Sequence, residues 1–316
     1  MKKAQRIEWV RRAPLPLRDG VAPSRVYLPQ GPWLNLRDFV LQRFPHVPRD
    51  VLLERLARGD IVDDAGVVQT LASPYRALGW LWYYREVPAE AHVPFELPVL
   101  FRDDYLVAVD KPHFLASIPG GRYLRETALI RLRQSLELPL LSPIHRLDRD
   151  TAGVLLFCAA PEQRGAYQAL FQTRDVRKEY EAIAPLRADL VFPLVHRSRL
   201  QARPGHFTMQ EVGGEPNSET HIDLMDTLGD LGRYRLRPHT GRKHQLRAHM
   251  SALGIPICND AFYPALQAHA DADDFSHPLQ LLARSIEFTD PVSGLPRRFE
   301  SRRVLQAVSG RQDGGA

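Results

Sequence analysis

The stretch Pro143 to Phe157, PIHRLDRDTAGVLLF, decides how the rest of the chain is read. Two polar charged clusters, His145-Arg146 and Asp148-Arg149-Asp150, stand directly before a run of strand formers. This places Asp148 at the loop end of a strand, where a rigid scaffold meets solvent. The plainer alternative is a solvated loop whose charges pair weakly with one another.

Working outward, three further segments fall in order around it: VAVDKPHFL at Val107 to Leu115, RKEYEAIA at Arg177 to Ala184, and RPHTGRKHQLRAHMSALGIPICNDAFY at Arg237 to Tyr263. Strand-like runs at Tyr105 to Val109, Val154 to Cys158, Glu179 to Ala184, Ile222 to Met225 and Tyr234 to Arg237 alternate with helical patterns at Glu126 to Leu136, Pro161 to Gln172 and Lys243 to Leu253. The alternation predicts an α+β domain on a mixed, largely antiparallel sheet with flanking helices.

The four segments together resemble the RluA-type pseudouridine synthases, whose signature HRLDRDTAG carries the catalytic aspartate after H-R-L. The resemblance implies the pseudouridine synthase fold and isomerisation of specific uridines in ribosomal or transfer RNA. His113, Ala152 and Asn259 depart from the common residues of the pattern. The closing stretch LQLLARSIEFTDPVSGLPRRFES fits the family's C-terminal strands.

By the same resemblance Asp148 is catalytic, Tyr180 is the active-site tyrosine, and Arg242 is the guanidinium that compensates Asp148. Arg146 takes the space left by the flipped nucleotide. Lys178, Arg247 and His249 are candidate RNA contacts, with support of the sheet and of the helix surface as the plainer roles. Thr240 is placed to cap the helix that follows, and Gly241 to relieve a strained turn. His145 reads as a structural hydrogen-bonding residue.

The chemistry suits these residue types. The reaction breaks the bond between ribose and ring nitrogen, turns the uracil, and rejoins it through carbon 5 without moving electrons. An ionised carboxylate serves as nucleophile or as partner to a cationic sugar. A tyrosine ring stacks on a base that has left its helix. No cofactor is expected. No metal is expected either, because no histidine, cysteine and carboxylate cluster shows ligand spacing along the chain.

At 316 residues the chain is long enough to bury a core without staples, and two cysteines, Cys158 and Cys258, fit a reduced cytoplasmic protein. A net charge of +5 is mild, but six basic side chains and no acidic one lie between Leu231 and Asn259. Arg297, Arg298, Arg302 and Arg303 form a second basic knot. RNA is the expected partner. The start lacks the apolar run of a signal peptide, and no apolar stretch is long enough to span a membrane.

Residues 1–30, with scattered prolines, read as an extended arm, and 306–316 as a flexible tail. Over 31–90, Leu36, Phe39, Val40 and Phe44, then Val51, Leu52 and Leu56, give a helix pair. Gly59 ends it, and a hairpin follows around Asp64-Ala65-Gly66. This order resembles the S-four-like RNA-binding domain. A linker from Pro88 to Pro98 leads to the catalytic domain, 95–305.

Two rival readings are kept. His196-Arg197-Ser198 and His249-Met250-Ser251 match the paired H-x-S of two-histidine RNA phosphodiesterases, and would require both histidines to face one cleft without Asp148. An RNA-binding assembly factor without activity is the other.

Overall fold

A computed structural model describes residues 13–86, 90–266 and 274–306. The first part of the expected arm, part of the linker and nearly all of the expected tail lie outside these residues. Two compact units are present. One gathers the described residues up to Glu90 with Gly120–Arg125 and Arg133–Pro139; the other holds Ala91–Pro119, Glu126–Leu132 and the described residues from Leu140 onward.

In the first unit, strands β1 (Ser24–Tyr27), β2 (Ile61–Val62) and β3 (Trp80–Tyr83) form a small antiparallel sheet in the order β1-β3-β2. Helices α1 (Leu36–Arg43) and α2 (Arg49–Arg58) pack Leu36, Phe39, Val40, Leu52 and Leu56 into its core. Asn35 caps α1 by accepting from the Asp38 amide, and Gly59 ends α2 at φ 76°. The hairpin closes through a Val62–Val68 bridge, and Asp64 accepts from the Trp80 amide and the Trp82 indole, both at 2.9 Å. The arm reading of 1–30 is corrected here: Ser24–Tyr27 is a strand of this sheet. Only Val26 turns inward to the core, too little apolar alternation to announce a strand.

The second unit is built on β4 (Val99–Arg102), β5 (Leu106–Lys111), β6 (Ser142–Pro143), β7 (Ala152–Cys158), β8 (Val176–Pro185), β9 (Leu194–Ala202), β10 (Met209–Val212), β11 (Ser218–Leu228), β12 (Leu231–Pro238), β13 (Leu281–Thr289) and β14 (Pro296–Glu300). Their order is β10-β9-β11-β12-β8-β13-β7-β5-β4, with β14 on β13 and β6 on β7. The ladder is antiparallel except between β13 and β7. This is the mixed, largely antiparallel α+β architecture expected. Helices α3 (Ala128–Ser135), α4 (Arg164–Thr173) and α5 (Gln245–Ala252) accompany it.

Strands β9 and β10 and the edge strand β4 are absent from the sequence-based expectation. The side chains of β9 that turn inward include His196 and Ser198, so the apolar alternation of a half-buried strand is missing there. Two apolar clusters cover the sheet. Leu106, Val154, Leu156, Tyr167 and Phe288 belong to one, and Ala182, Tyr234, Leu236, Leu246 and Met250 to the other.

Candidate active site

A cavity of about 480 Å³ is lined by residues of both clusters, Ile144 and Val176 from one, Tyr180, Leu246 and Leu281 from the other. Asp148 lies in it, with Arg146, Lys178, Tyr180, Arg242, His244 and Arg247. Five of the seven residues proposed from sequence therefore share its walls with Asp148; His249 is the one that does not.

The loop between β6 and β7, which carries Asp148, is pinned in place by neighbouring side chains. Ser117 exchanges hydrogen bonds with the Leu147 backbone, its Oγ donating to the carbonyl at 2.7 Å and accepting from the amide at 3.1 Å. Lys111 is completely buried and donates to the carbonyls of Pro112, Leu115 and Arg149 at 2.8–2.9 Å. Burial pulls its ammonium down to about 7, although Asp150 and Asp148 favour the charge. His113 contacts the Asp150 carbonyl at 2.7 Å. The D-K-P segment thus acts as a cradle for the loop. His145 accepts from the Leu156 amide at 3.1 Å and stacks on Phe171, the structural role expected of it.

The carboxylate's cationic neighbour is Arg247, not Arg242. Arg247 Nη1 stands 3.5 Å from Asp148 Oδ2, and His244 Nε2 is 3.9 Å from the same oxygen. Arg247 is 1% exposed, and it grips Asp260 through Nε at 2.8 Å and Nη2 at 2.5 Å. Burial opposes its charge, but the hydrogen bond and field of Asp260, with smaller help from Asp148 and Asp150, hold it above the ordinary guanidinium range. Arg242 is exposed and donates from Nε to the Asn217 carbonyl at 3.1 Å.

The local backbone explains the exchange. Thr240 does not cap α5; its hydroxyl bonds the Gln245 side chain at 2.7 Å and accepts from the Glu219 amide. Gly241 is not the strained residue either. His244 is, at φ 52°, and α5 begins only after it. His244 is buried against Tyr263 and Phe262, and burial, with Arg247 and Lys243 adding repulsion, lowers its imidazole to about 3.

Tyr180 stands on β8 within the cavity, and burial, then Asp148, raises its phenol above the ordinary range. Lys178 donates to the Thr240 carbonyl at 3.3 Å, and burial lowers it to about 8, with Arg174 adding repulsion. Arg146 is exposed at the cavity wall. His249 is corrected as an RNA contact: it is fully buried and hydrogen-bonds Ser198, Ser218 and Thr220. Arg247 is likewise an interior residue, not one of the helix surface. His196 and His249 do lie side by side, but neither lines the cavity of Asp148, and the burial of His249 leaves the phosphodiesterase reading without a substrate face.

Sequence reasoning missed His244, Lys111 and the role of Asp260. All three lie inside segments quoted from the sequence, Lys111 in VAVDKPHFL and both His244 and Asp260 in RPHTGRKHQLRAHMSALGIPICNDAFY, and that was the available signal.

A profile of the RNA pseudouridylate synthases matches residues 105–252, which include β5, the Asp148 loop, β8 and α5. An RNA pseudouridine synthase of Synechocystis is 31% identical over 231 residues, 72% of this chain and 78% of that protein. The chain belongs to the RNA pseudouridine synthases. The dual-specificity RNA pseudouridine synthase RluA of Yersinia pestis is 32% identical over 207 residues, 64% of this synthase and 97% of the relative. In fold, the synthase resembles human RNA pseudouridylate synthase domain containing 1, with a TM-score of 0.54 and 22% identity over 68% of this chain and 86% of that one. The synthase is thus an isomerase acting on RNA. Among the described residues no helix is long and apolar enough to cross a membrane.

Proposed function

We propose that the synthase isomerises specific uridines in ribosomal or transfer RNA with Asp148 as its catalytic carboxylate, Arg247 as the cation that keeps Asp148 ready, and Tyr180 as the stacking surface for the flipped base. The observation that carries this is Arg247 Nη1 at 3.5 Å from Asp148 Oδ2 inside the cavity that also holds Tyr180. A guanidinium locked by Asp260 cannot swing away, so the field at Asp148 is set before RNA arrives. A cavity of about 480 Å³ lies within the range of small-molecule sites and admits a nucleotide taken out of its stack.

Arg146, at the exposed wall, takes the space the nucleotide leaves, and Lys178 and Arg242 bind RNA backbone. Arg242 precedes α5 on an exposed turn, a position suited to phosphate. The dual-specificity name of the RluA relatives supports a target set wider than one RNA. The helix pair and hairpin of the first unit supply additional RNA affinity in this reading, and the cytoplasm is the expected compartment.

Release of tritium from RNA labelled at uridine carbon 5 tests the assignment. Asp148→Asn is expected to give no product while binding RNA within about threefold of the parent, since flipping and backbone contacts do not depend on the carboxylate. Turnover by that variant would remove Asp148 from the catalytic role. Mapping pseudouridines in cells with and without the synthase then identifies the RNA.

A further inference from the structure

On the face of the sheet that meets α5, alternate residues of β9 point the same way: His196, Ser198 and Leu200. The register places Ser218 and Thr220 of β11 beside Ser198 and His196, and Glu211 of β10 beside Leu200. Above them His249 projects from α5. Donor atoms of His196, Glu211 and His249 all lie within 4.8 Å of one another. His196 Nε2 is 2.8 Å from Glu211 Oε1, and the two imidazoles meet edge to face at 4.7 Å.

We propose that His196, Glu211 and His249 form a site for one divalent ion of the zinc class, which clamps the β9–β10 hairpin to α5. Two imidazoles and one carboxylate are a donor set that zinc takes in other proteins, with water in the fourth position, and they favour it over calcium or magnesium. Bonds of about 2.0–2.2 Å would draw the three donors together from their present spread. The surroundings are those of a ligated histidine. His249 Nδ1 is fixed by Thr220 Oγ1 at 2.9 Å, so Nε2 is the atom turned toward the ion, which would take the place of its present hydroxyl contacts. The hydroxyls of Ser198 and Ser218, 3.1 and 3.0 Å from Nε2, sit where a bound water needs partners. An entry path exists, because the side chains of His196 and Glu211 are 19% and 28% exposed while His249 is sealed below them.

The site is separate from the uridine cavity, whose walls include none of the three residues. Its effect is mechanical. The hairpin continues to Phe207, which packs on His244 at 5.1 Å, and His244 neighbours Asp148. An ion at the base of the hairpin therefore steadies a wall of the catalytic cleft.

The test is a zinc titration of the chelator-stripped full chain in competition with a chromogenic chelator, with thermal melts in parallel. One equivalent is expected to bind, and saturating zinc is expected to raise the melting temperature. His196→Ala and Glu211→Gln, on the partly exposed hairpin, should each weaken binding at least tenfold and abolish the zinc-dependent rise, while melting like the parent without metal. His249 is left in place, because its removal also takes one hydrogen-bond partner from each of Ser198, Ser218 and Thr220. Absence of a stoichiometric ion, or unchanged affinity in both variants as for surface histidines alone, would overturn the site.

Discussion

Arg247 carries two loads, a buried carboxylate on one side and Asp148 on the other, and the two can be separated by substitution. Arg247→Lys keeps a charge but loses the two-pronged grip on Asp260, so it is expected to cut the single-turnover rate at least about 100-fold. Arg247→Met leaves Asp260 buried without its cation and should also cost about 3–5 kcal/mol of stability. Arg242→Ala should instead raise KM with kcat within about threefold. Rapid-quench kinetics on the three variants decide it; a collapse of kcat in Arg242→Ala alone would return the partner role to Arg242. The Asp148, Tyr180 and Lys178 singled out from sequence all line the cavity, whereas the guanidinium beside Asp148 is that of Arg247 and not of Arg242. The two arginines stand five residues apart in one basic stretch, and only Arg247 lies within the helix, which begins at Gln245 and not at Lys243. The left-handed His244 that sets the real start carries no pattern visible along the chain, since its geometry comes from packing on Tyr263 and Phe262.

Among the elements, the meeting of β7 and β13 constrains one residue most. Gly153 has φ 111°, and a Cβ there would lie 2.2 Å from the Ala283 carbonyl oxygen, inside the only parallel pairing of the described sheet. Gly153→Ala is expected to cost roughly 2–4 kcal/mol through strain and displaced backbone, and to lower activity by shifting the loop that ends at Thr151. Chemical denaturation measures the first effect; a parent-like midpoint would show that β13 yields freely. The helix pair was legible because Leu36, Phe39, Val40, Leu52 and Leu56 keep a helical period, whereas β9 and β10 were not, because His196, Ser198 and Glu211 interrupt their inward face and find partners only in three dimensions. On the helix pair, Arg37, Arg55 and Arg58 already face Asp38, Glu86, Glu54 and Asp60. Arg43 and Arg49, both exposed, are the stronger candidates for phosphate. Replacing both with Gln should reduce the log-log salt slope of RNA binding by up to about 0.7–0.9 for each phosphate no longer neutralised, with kcat unchanged. An identical slope would take this pair of arginines out of the RNA interface.

For the molecule as a whole, buried imidazoles set the response to acid. Burial lowers His113 to about 4, and His145 and His244 each to about 3; Lys178 pushes His145 the same way, and Lys111, Arg247 and Lys243 act likewise on the others, with Asp150 opposing at His113 and Asp260 at His244. Unfolded, each titrates near 6.5. Between 6.5 and those folded values the unfolded chain holds more protons, so these histidines make stability fall as pH drops from 6.5 toward 4. Melting temperatures measured from pH 7.5 to 4.5 should decline below 6.5, and His145→Gln should flatten the decline if it folds with parent-like stability at pH 7.5; a level profile in the parent would mean the histidines are not held neutral. The sheet order has a temporal consequence as well. Strand β13 lies between β7 and β8, which precede it by a long stretch of chain, and Leu281 completes the wall of the uridine cavity. A nascent chain that has passed β12 but not reached Leu281 holds two half-sheets whose inner edges are open. Such edges invite pairing with other chains, and the wait for a distant strand slows closure. Synthesis of the catalytic cleft is therefore a late event on the ribosome, and the interval before β13 emerges is when the chain most needs a chaperone.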